Sequence, residues 1–186
     1  MARLTREFFN ELHSVGVQEA AQRVRERVPK KGSVAPLIKA LRGHASELQE
    51  EGNSERLIHF VRVLGKARVR SLDSFVQAQL FRGTIGLRVA AVKSLRDLQH
   101  SQGLKFALSD EDERVWKPAA AALARVALRG SDEDDRRDAV NALVAAHGVK
   151  GGQRPVLSKL LRLLARQMPG RRDPRLLEVV NRAVSK

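Results

Sequence analysis

An all-α fold is what this chain predicts, and three observations carry it. Apolar residues make up 42% of the sequence but aromatic ones only 4%, so a core must be built from Leu, Val and Ala, which suits helix-on-helix packing better than a sheet. Those apolar residues recur at i, i+3 and i+4 in segments separated by Gly and Pro. One spacing also recurs three times between Leu87 and Leu143. Its copies are Leu87-Arg88-x-x-Ala91-x-x-Ser94-Leu95, Val115-Trp116-x-x-Ala119-x-x-Ala122-Leu123 and Asp135-Arg136-x-x-Ala139-x-x-Ala142-Leu143. Small residues three apart, followed by Leu one position later, share a helix face; they let a neighbouring helix come close while the Leu fills the gap. The expectation is an irregular α-solenoid of about ten helices in hairpins. At 186 residues it reads as a single domain over 1–186, with on the order of 70% of the unfolded chain's surface removed from water.

Taken in order, Leu4, Phe8, Phe9, Leu12 and Val15 stand at helical spacing, with Gly16 as the stop. A second helix covers Val17 to Val28 and ends at Pro29. Ser33 is the expected N-cap of a helix reaching Leu48, and Glu50 to Ser54 form the next break. The helix from Glu55 to Val69 buries Leu57, Ile58, Val61 and Leu64, and puts Arg62, Lys66 and Arg70 on one stripe. Asp73 is the expected cap of a short helix closed by Gly83, and the first repeat copy lies on a helix from Thr84 to Gln99. Residues 103–109 predict a short helix. Asp110 to Glu113 then place carboxylates at the positive end of a long helix ending at Arg129-Gly130. Pro118 predicts a start near Val115, or a kink. Ser131 to Asp135 repeat the acidic device ahead of a helix ending at His147-Gly148. Lys150 to Pro155 open an apolar helix through Val156, Leu157, Leu160, Leu161, Leu163 and Leu164, and Asp173-Pro174 start a last one.

Ala107-Leu108-Ser109-Asp110-Glu111-Asp112-Glu113-Arg114-Val115-Trp116-Lys117-Pro118-Ala119-Ala120-Ala121-Ala122-Leu123 resembles the short HEAT-like repeat, A-L-x-D-x-D-x-x-V-R-x-x-A-A-x-A-L, almost position by position. Trp116 stands where that family carries Arg, and Asp135 where it carries Val. The copies are offset by 28 residues from Arg88 to Trp116, then by 20 to Arg136, which predicts a missing or compressed first helix in the third copy. The resemblance implies stacked helical hairpins and a binding scaffold, most often a protein–protein adaptor. Some HEAT-like proteins are DNA glycosylases for alkylated bases that use paired Trp residues and a catalytic Asp. This chain has one Trp, no Tyr, and Ala120 one turn after that Trp, so no catalytic role carries over. Trp116 reads as a packing residue between repeats, with a stacking platform as the alternative.

Charge is the second strong signal. The 35 Lys and Arg against 21 Asp and Glu give a formal charge of +14, a field that attracts polyanions such as nucleic acid, anionic lipid or an acidic protein. The bland alternative is a compositionally Arg-rich, solvated surface. The excess is uneven: residues 104–147 hold seven cations and nine acids, whereas 148–186 hold ten cations and two acids. With no Cys there is neither a disulfide framework nor a thiolate metal site. No apolar run has signal-peptide or membrane-span character, and Glu7 and Glu11 interrupt a transit-peptide pattern, so a cytoplasmic location is expected.

Enzymatic constellations are not in view. His13, His44, His59, His100 and His147 are dispersed, without His-x-x-x-His or His-Glu spacing for zinc, and Asp97 with His100 reads as a surface pair. There is no phosphate-binding Gly-Lys-Ser/Thr loop, dinucleotide fingerprint or Gly-x-Ser-x-Gly elbow. A non-enzymatic scaffold without cofactor, metal or small-molecule substrate is therefore expected. The candidate nucleic-acid-binding residues are the stripe Arg62, Lys66 and Arg70, the stripe Lys159, Arg162 and Arg166, the turn and helix start Arg171, Arg172 and Arg175, and Lys150 with Arg154. Lys150-Gly151-Gly152 ahead of a helix offers backbone N–H groups beside cations, or else a plain linker. Five such cations on phosphates would make binding fall by roughly 500-fold for a fourfold rise in salt. Base-specific reading is not expected, because the aromatic and amide side chains for it are sparse. An acidic protein is the alternative partner, and the acidic stretches at 110–113 and 132–135 favour it, since they would repel a phosphate backbone laid across them.

Overall fold

The computed structural model describes residues 5–28, 33–130, 132–149, 154–167 and 174–185. Among them are eleven α-helices and no strand, so the all-α expectation holds. The helices group into two compact units, residues 1–98 and 99–186.

The first unit contains α1 (Arg6–Ser14), α2 (Val17–Glu26), α3 (Ala35–Glu50), α4 (Ser54–Ala67), a 3-10 turn (Arg70–Leu72), α5 (Asp73–Arg82) and α6 (Ile85–Leu98). Each even-numbered helix packs on the helix before it, and α2 lies against α4 and α4 against α6. Three hairpins thus present their second helices to one another. The closest approach is at the α4–α6 crossing, where a Cβ built on Gly65 would come within 2.4 Å of Ser94 Cα and Cβ. The Ser94 hydroxyl is fully buried there and donates to the carbonyls of Val61 at 2.8 Å and Ala90 at 2.9 Å. This is the small-residue seam that the first repeat copy predicts, with Ala91, Ser94 and Leu95 all buried.

The second unit contains α7 (Ser101–Ala107), α8 (Glu113–Arg129), α9 (Glu133–Val149), α10 (Arg154–Gln167) and α11 (Pro174–Val184). Here α7 lies against α9 and α9 against α11, while α8 lies against α10. The shortened offset of the third copy is explained: α9 follows α8 with no helix between them, so the second and third copies fall on opposite sides of the α8–α9 pair. Ala119, Ala122 and Leu123 are buried on α8; on α9 Ala139 and Leu143 are buried and Ala142 half-buried.

The first and third copies share a turn as well as a face. Gly83 ends α5 and Gly130 ends α8, and an added Cβ would lie 2.6 Å from the Gln79 carbonyl at the one and from the Val126 carbonyl at the other. The copy's arginine then folds back on that glycine: Arg88 Nη1 donates to the Gly83 carbonyl at 3.3 Å, and Arg136 Nη1 to the Gly130 carbonyl at 2.8 Å. Carbonyls at a helix C-terminus lack intrahelical donors, and a guanidinium there supplies one. In the second copy Trp116 replaces that arginine and is 4% exposed, which is the packing role expected of it; the Lys117 amine stands 5.7 Å from its ring centre.

Several helix ends differ from expectation. The N-cap of α3 is Val34, although the Ser33 hydroxyl still accepts from Ala35 N at 3.1 Å. Asp73 is the first residue of α5 rather than its cap. Helix α8 starts at Glu113, ahead of the expected Val115, because the Asp112 carboxylate accepts from Arg114 N at 2.9 Å and holds the Arg114 guanidinium at 2.7 Å. Pro118 lies inside the helix and deprives the Arg114 carbonyl of its i+4 donor.

Candidate nucleic-acid interface

The candidate cations meet two different fates. On α4, Arg62 is half-buried, and its Nη1 has no hydrogen-bond partner. Burial lowers its pKa from the ordinary arginine value, Asp97 raises it, and Arg96 adds to the depression. Lys66 Nζ stands 4.0 Å from Asp97 Oδ2, and Arg96 Nη2 donates to Asp97 Oδ1 at 2.9 Å. Asp97, on α6, is only 15% exposed at its side chain, so these cations surround a largely buried carboxylate. Arg70 does not continue their stripe. Helix α4 ends at Ala67, Arg68 takes the left-handed conformation at φ 59°, and Arg70 falls in the following 3-10 turn, where it is exposed. The three-cation stripe expected on Glu55 to Val69 is therefore two half-buried residues facing an acid and one residue off the helix.

Helix α10 behaves otherwise. Leu157, Leu161 and Leu164 are fully buried and hold it against α8, α9 and α11. A hydrogen bond between His147 Nε2 on α9 and Ser158 Oγ, at 2.7 Å, fixes it further. At about 100° per residue, Lys159, Arg162 and Arg166 fall within roughly 60° of one another on the side opposite those leucines. All three are exposed, and none has an acidic partner among the described residues. Leu163, one of the apolar residues of this helix, is 42% exposed at the edge of the cation group. Arg162 also lines an open cleft of about 660 Å³ between α9, α10 and α11, together with Arg182, His147, Ser158 and an apolar wall of Val144 and Val179. Arg182 is already held by Glu178 at 2.6 Å.

Of the remaining candidates, Arg175 is exposed on α11 and lines a second recess with Glu133 and Arg137 of α9. Lys150, Arg171 and Arg172 lie outside the described residues, as does the Gly151-Gly152 pair. Of Arg154 only the backbone, opening α10, is described. On α8 and α9, Arg114 pairs with Asp112, Lys117 with Glu113, and Arg137 with Glu133 and Asp134, whereas Arg125 and Arg129 of α8 are exposed with no acidic partner among the described residues.

Sequence reading missed one cluster. Three of the five histidines meet where α1, α3 and α4 pack: His13 Nε2 lies 2.9 Å from His44 Nε2, and the His13 and His59 rings are 5.6 Å apart. The available signal was position on the inward faces, His13 one turn after Phe9 and His44 three residues after Leu41. The Asp97 carboxylate meets Lys66 and Arg96, and His100 Nδ1 accepts from Gly103 N at 3.0 Å. Among the described residues no group of three or more His, Asp or Glu is placed to hold a metal ion, and no helix is long and apolar enough to cross a membrane. Compared with known proteins, the chain matches no family model, and no curated protein is detectably similar to it.

Proposed function

We propose that residues 1–186 form a non-enzymatic, HEAT-like helical-repeat scaffold, acting in the cytoplasm, that engages the phosphate backbone of nucleic acid without reading its sequence. The repeat reading is supported by the side-by-side second helices α2, α4 and α6 and by the glycine–arginine turn shared by the first and third copies. The binding reading is carried by one observation: Lys159, Arg162 and Arg166 share one exposed face of α10 without acidic partners among the described residues. Solvated cations at one-turn spacing can each displace a condensed counterion from a phosphate backbone, and the gain depends on charge rather than base identity.

The test is a fluorescence-anisotropy titration of random-sequence duplex and single-stranded DNA at two salt concentrations. With three phosphate contacts on α10, the triple variant Lys159→Ala, Arg162→Ala and Arg166→Ala should lose about 2.7 from the slope of log affinity against log salt, so a fourfold rise in salt matters roughly 40-fold less. No binding by the parent chain at low salt, or an unchanged slope in the triple variant, would remove the nucleic-acid reading. A second reading, an adaptor for an acidic protein, is favoured by Leu163, since an apolar side chain beside cations suits a protein partner better than a phosphate backbone.

A further inference from the structure

The histidine cluster of the first unit stands apart from the cation face and from the polyanion reading. Helix α1 docks through Phe8, Phe9 and Leu12, all buried, and His13 continues that face. The Phe9 ring stacks on His44 of α3 with centroids 4.1 Å apart, and His44 meets Phe60 of α4 edge-on at 5.0 Å. His59, also on α4, reaches the Leu12 carbonyl through Nε2 at 2.9 Å. Every direct polar link described from α1 to α3 and α4 therefore passes through an imidazole.

The hydrogen bonds assign the protons. A carboxylate only accepts, so the long 3.5 Å contact between His44 Nδ1 and Glu47 Oε2 places the His44 proton on Nδ1 and leaves a lone pair on Nε2. His13 Nε2 must then donate across the 2.9 Å gap, which leaves His13 Nδ1 as a lone pair; that atom is buried without a hydrogen-bond partner. His59 Nε2 must donate to the Leu12 carbonyl. The arrangement closes with His13 and His44 both neutral. A second proton on His13 would occupy Nδ1, which faces no acceptor, and one on His44 Nε2 would either set two N–H groups head to head or drive the His13 proton onto that same Nδ1.

The charged groups around the cluster do not compensate. On the α3 side Glu47 and Glu51 favour charge on His44, while Lys39 lines the adjacent cleft; Arg56 of α4 opposes charge on both His13 and His44. On α1 itself Arg6 lines the same cleft, and Glu11 is held by Arg23 of α2 at 3.0 Å. Burial, then His44, His59 and Arg56, bring the His13 pKa down from 6.5 to about 4, and burial outweighs Glu47 in lowering that of His44.

We propose that this cluster is an acid-released latch: the uncharged imidazoles of His13 and His44, beside the His59 bond to the Leu12 carbonyl, hold α1 against α3 and α4 at neutral pH, and acidification undocks α1 and bares Phe9, His44 and Phe60. The sign follows from proton linkage. A freed α1 takes up its proton near pH 6.5, whereas the docked one resists until about pH 4, so docking is at full strength above 6.5 and is lost as pH falls between those values. The contact at the α4–α6 crossing is made by Gly65, Ser94, Leu64 and Leu95, none of which is an ionisable residue, so α6 is the reference against which α1 is read.

Amide hydrogen exchange of the full chain between pH about 7.5 and 4.5, corrected for intrinsic rates, tests this. Protection of α1 amides around Leu12 should fall roughly 10- to 100-fold relative to that of α6 amides around Leu95. The variant His13→Gln, whose amide can still donate to His44 but cannot titrate, should flatten that profile. A flat α1 profile in the parent chain, α1 and α6 losing protection together, or an identical drop in His13→Gln would each overturn the latch. A direct ring titration by NMR decides the matter even if the variant docks poorly: His13 must titrate well below 6.5, and a value near 6.5 ends the proposal.

Discussion

Helices α4 and α10 are both amphipathic and both carry cations at one-turn spacing, yet they place those cations in different surroundings. Helix α4 is packed by α1, α2, α3 and α6, and from Phe60 to Ala67 only Arg62 and Lys66 are not buried. A cation on that stretch has nowhere to go except the edge of the α6 crossing, where Asp97 waits. Helix α10 buries a single narrow stripe of leucines and leaves its opposite side in water. What separates the two is the number of neighbours that cover each helix, and that number is a tertiary property. A cation beside a shielded carboxylate contributes to the fold, whereas a solvated one is left for a partner.

The largest effect that would sharpen this contrast lies at the α4–α6 crossing. Gly65→Ala pushes a methyl group against the Ser94 backbone at 2.4 Å, and backbone cannot swing aside as a flexible side chain can. The expected loss is about 2–3 kcal/mol, read as a lower denaturant midpoint by far-UV circular dichroism. Gly43→Ala on α3 is the matched control. An added methyl there meets nothing within 4 Å, so it should be neutral or stabilise by up to about 1 kcal/mol through helix propensity. Equal effects at the two glycines would show that α4 is not the tightly covered helix described.

Next in size is the acid that α4's cations face. Asp97→Asn leaves Arg62, Lys66 and Arg96 together without a countercharge in a largely shielded position, and should destabilise by about 1–2 kcal/mol. Added salt should recover part of the loss by screening the three cations from one another. A loss that salt leaves untouched would mean that Asp97 acts through shape or hydrogen bonding rather than charge.

The sequence made local matters legible. The Ala91, Ser94 and Leu95 pattern located a helix crossing because small side chains are a requirement of close approach, and the 20-residue offset anticipated the helix missing before α9 because a hairpin of ordinary helices does not fit in it. Lys159, Arg162 and Arg166 were readable as one face since helical periodicity alone relates them. What escaped depended on partners far along the chain. Arg62 and Lys66 are governed by Asp97 on another helix, and His13, His44 and His59 meet only when three helices pack. Arg70 was lost for a different reason: Arg68 ends α4 in the left-handed region, which nothing in a non-glycine residue advertises. The exposure of Leu163 was not read either, because an apolar run masks the one leucine that lies about 40° from Lys159 on the helix circumference.

The smallest effect, and the one that most directly opposes the two helices, comes from removing one cation from each. Arg62→Met replaces a half-buried guanidinium whose Nη1 has no hydrogen-bond partner by an apolar chain of similar length, and Asp97 keeps Lys66 and Arg96 as neighbours. Stability should change by no more than about 0.5 kcal/mol in either direction, because the desolvation of the guanidinium offsets what it gains from Asp97. Arg166→Met, on the exposed side of α10, should likewise leave stability within about 0.5 kcal/mol. The variants part company in binding. Removing Arg166 deletes a solvated charge and should reduce the salt slope for duplex DNA by about 0.9, whereas removing Arg62 should leave that slope where it was. An Arg62→Met slope that drops as far as that of Arg166→Met would show that the edge of the α4–α6 crossing is part of the binding face after all, and the distinction between covered and solvated cations would fail at the residue where it is sharpest.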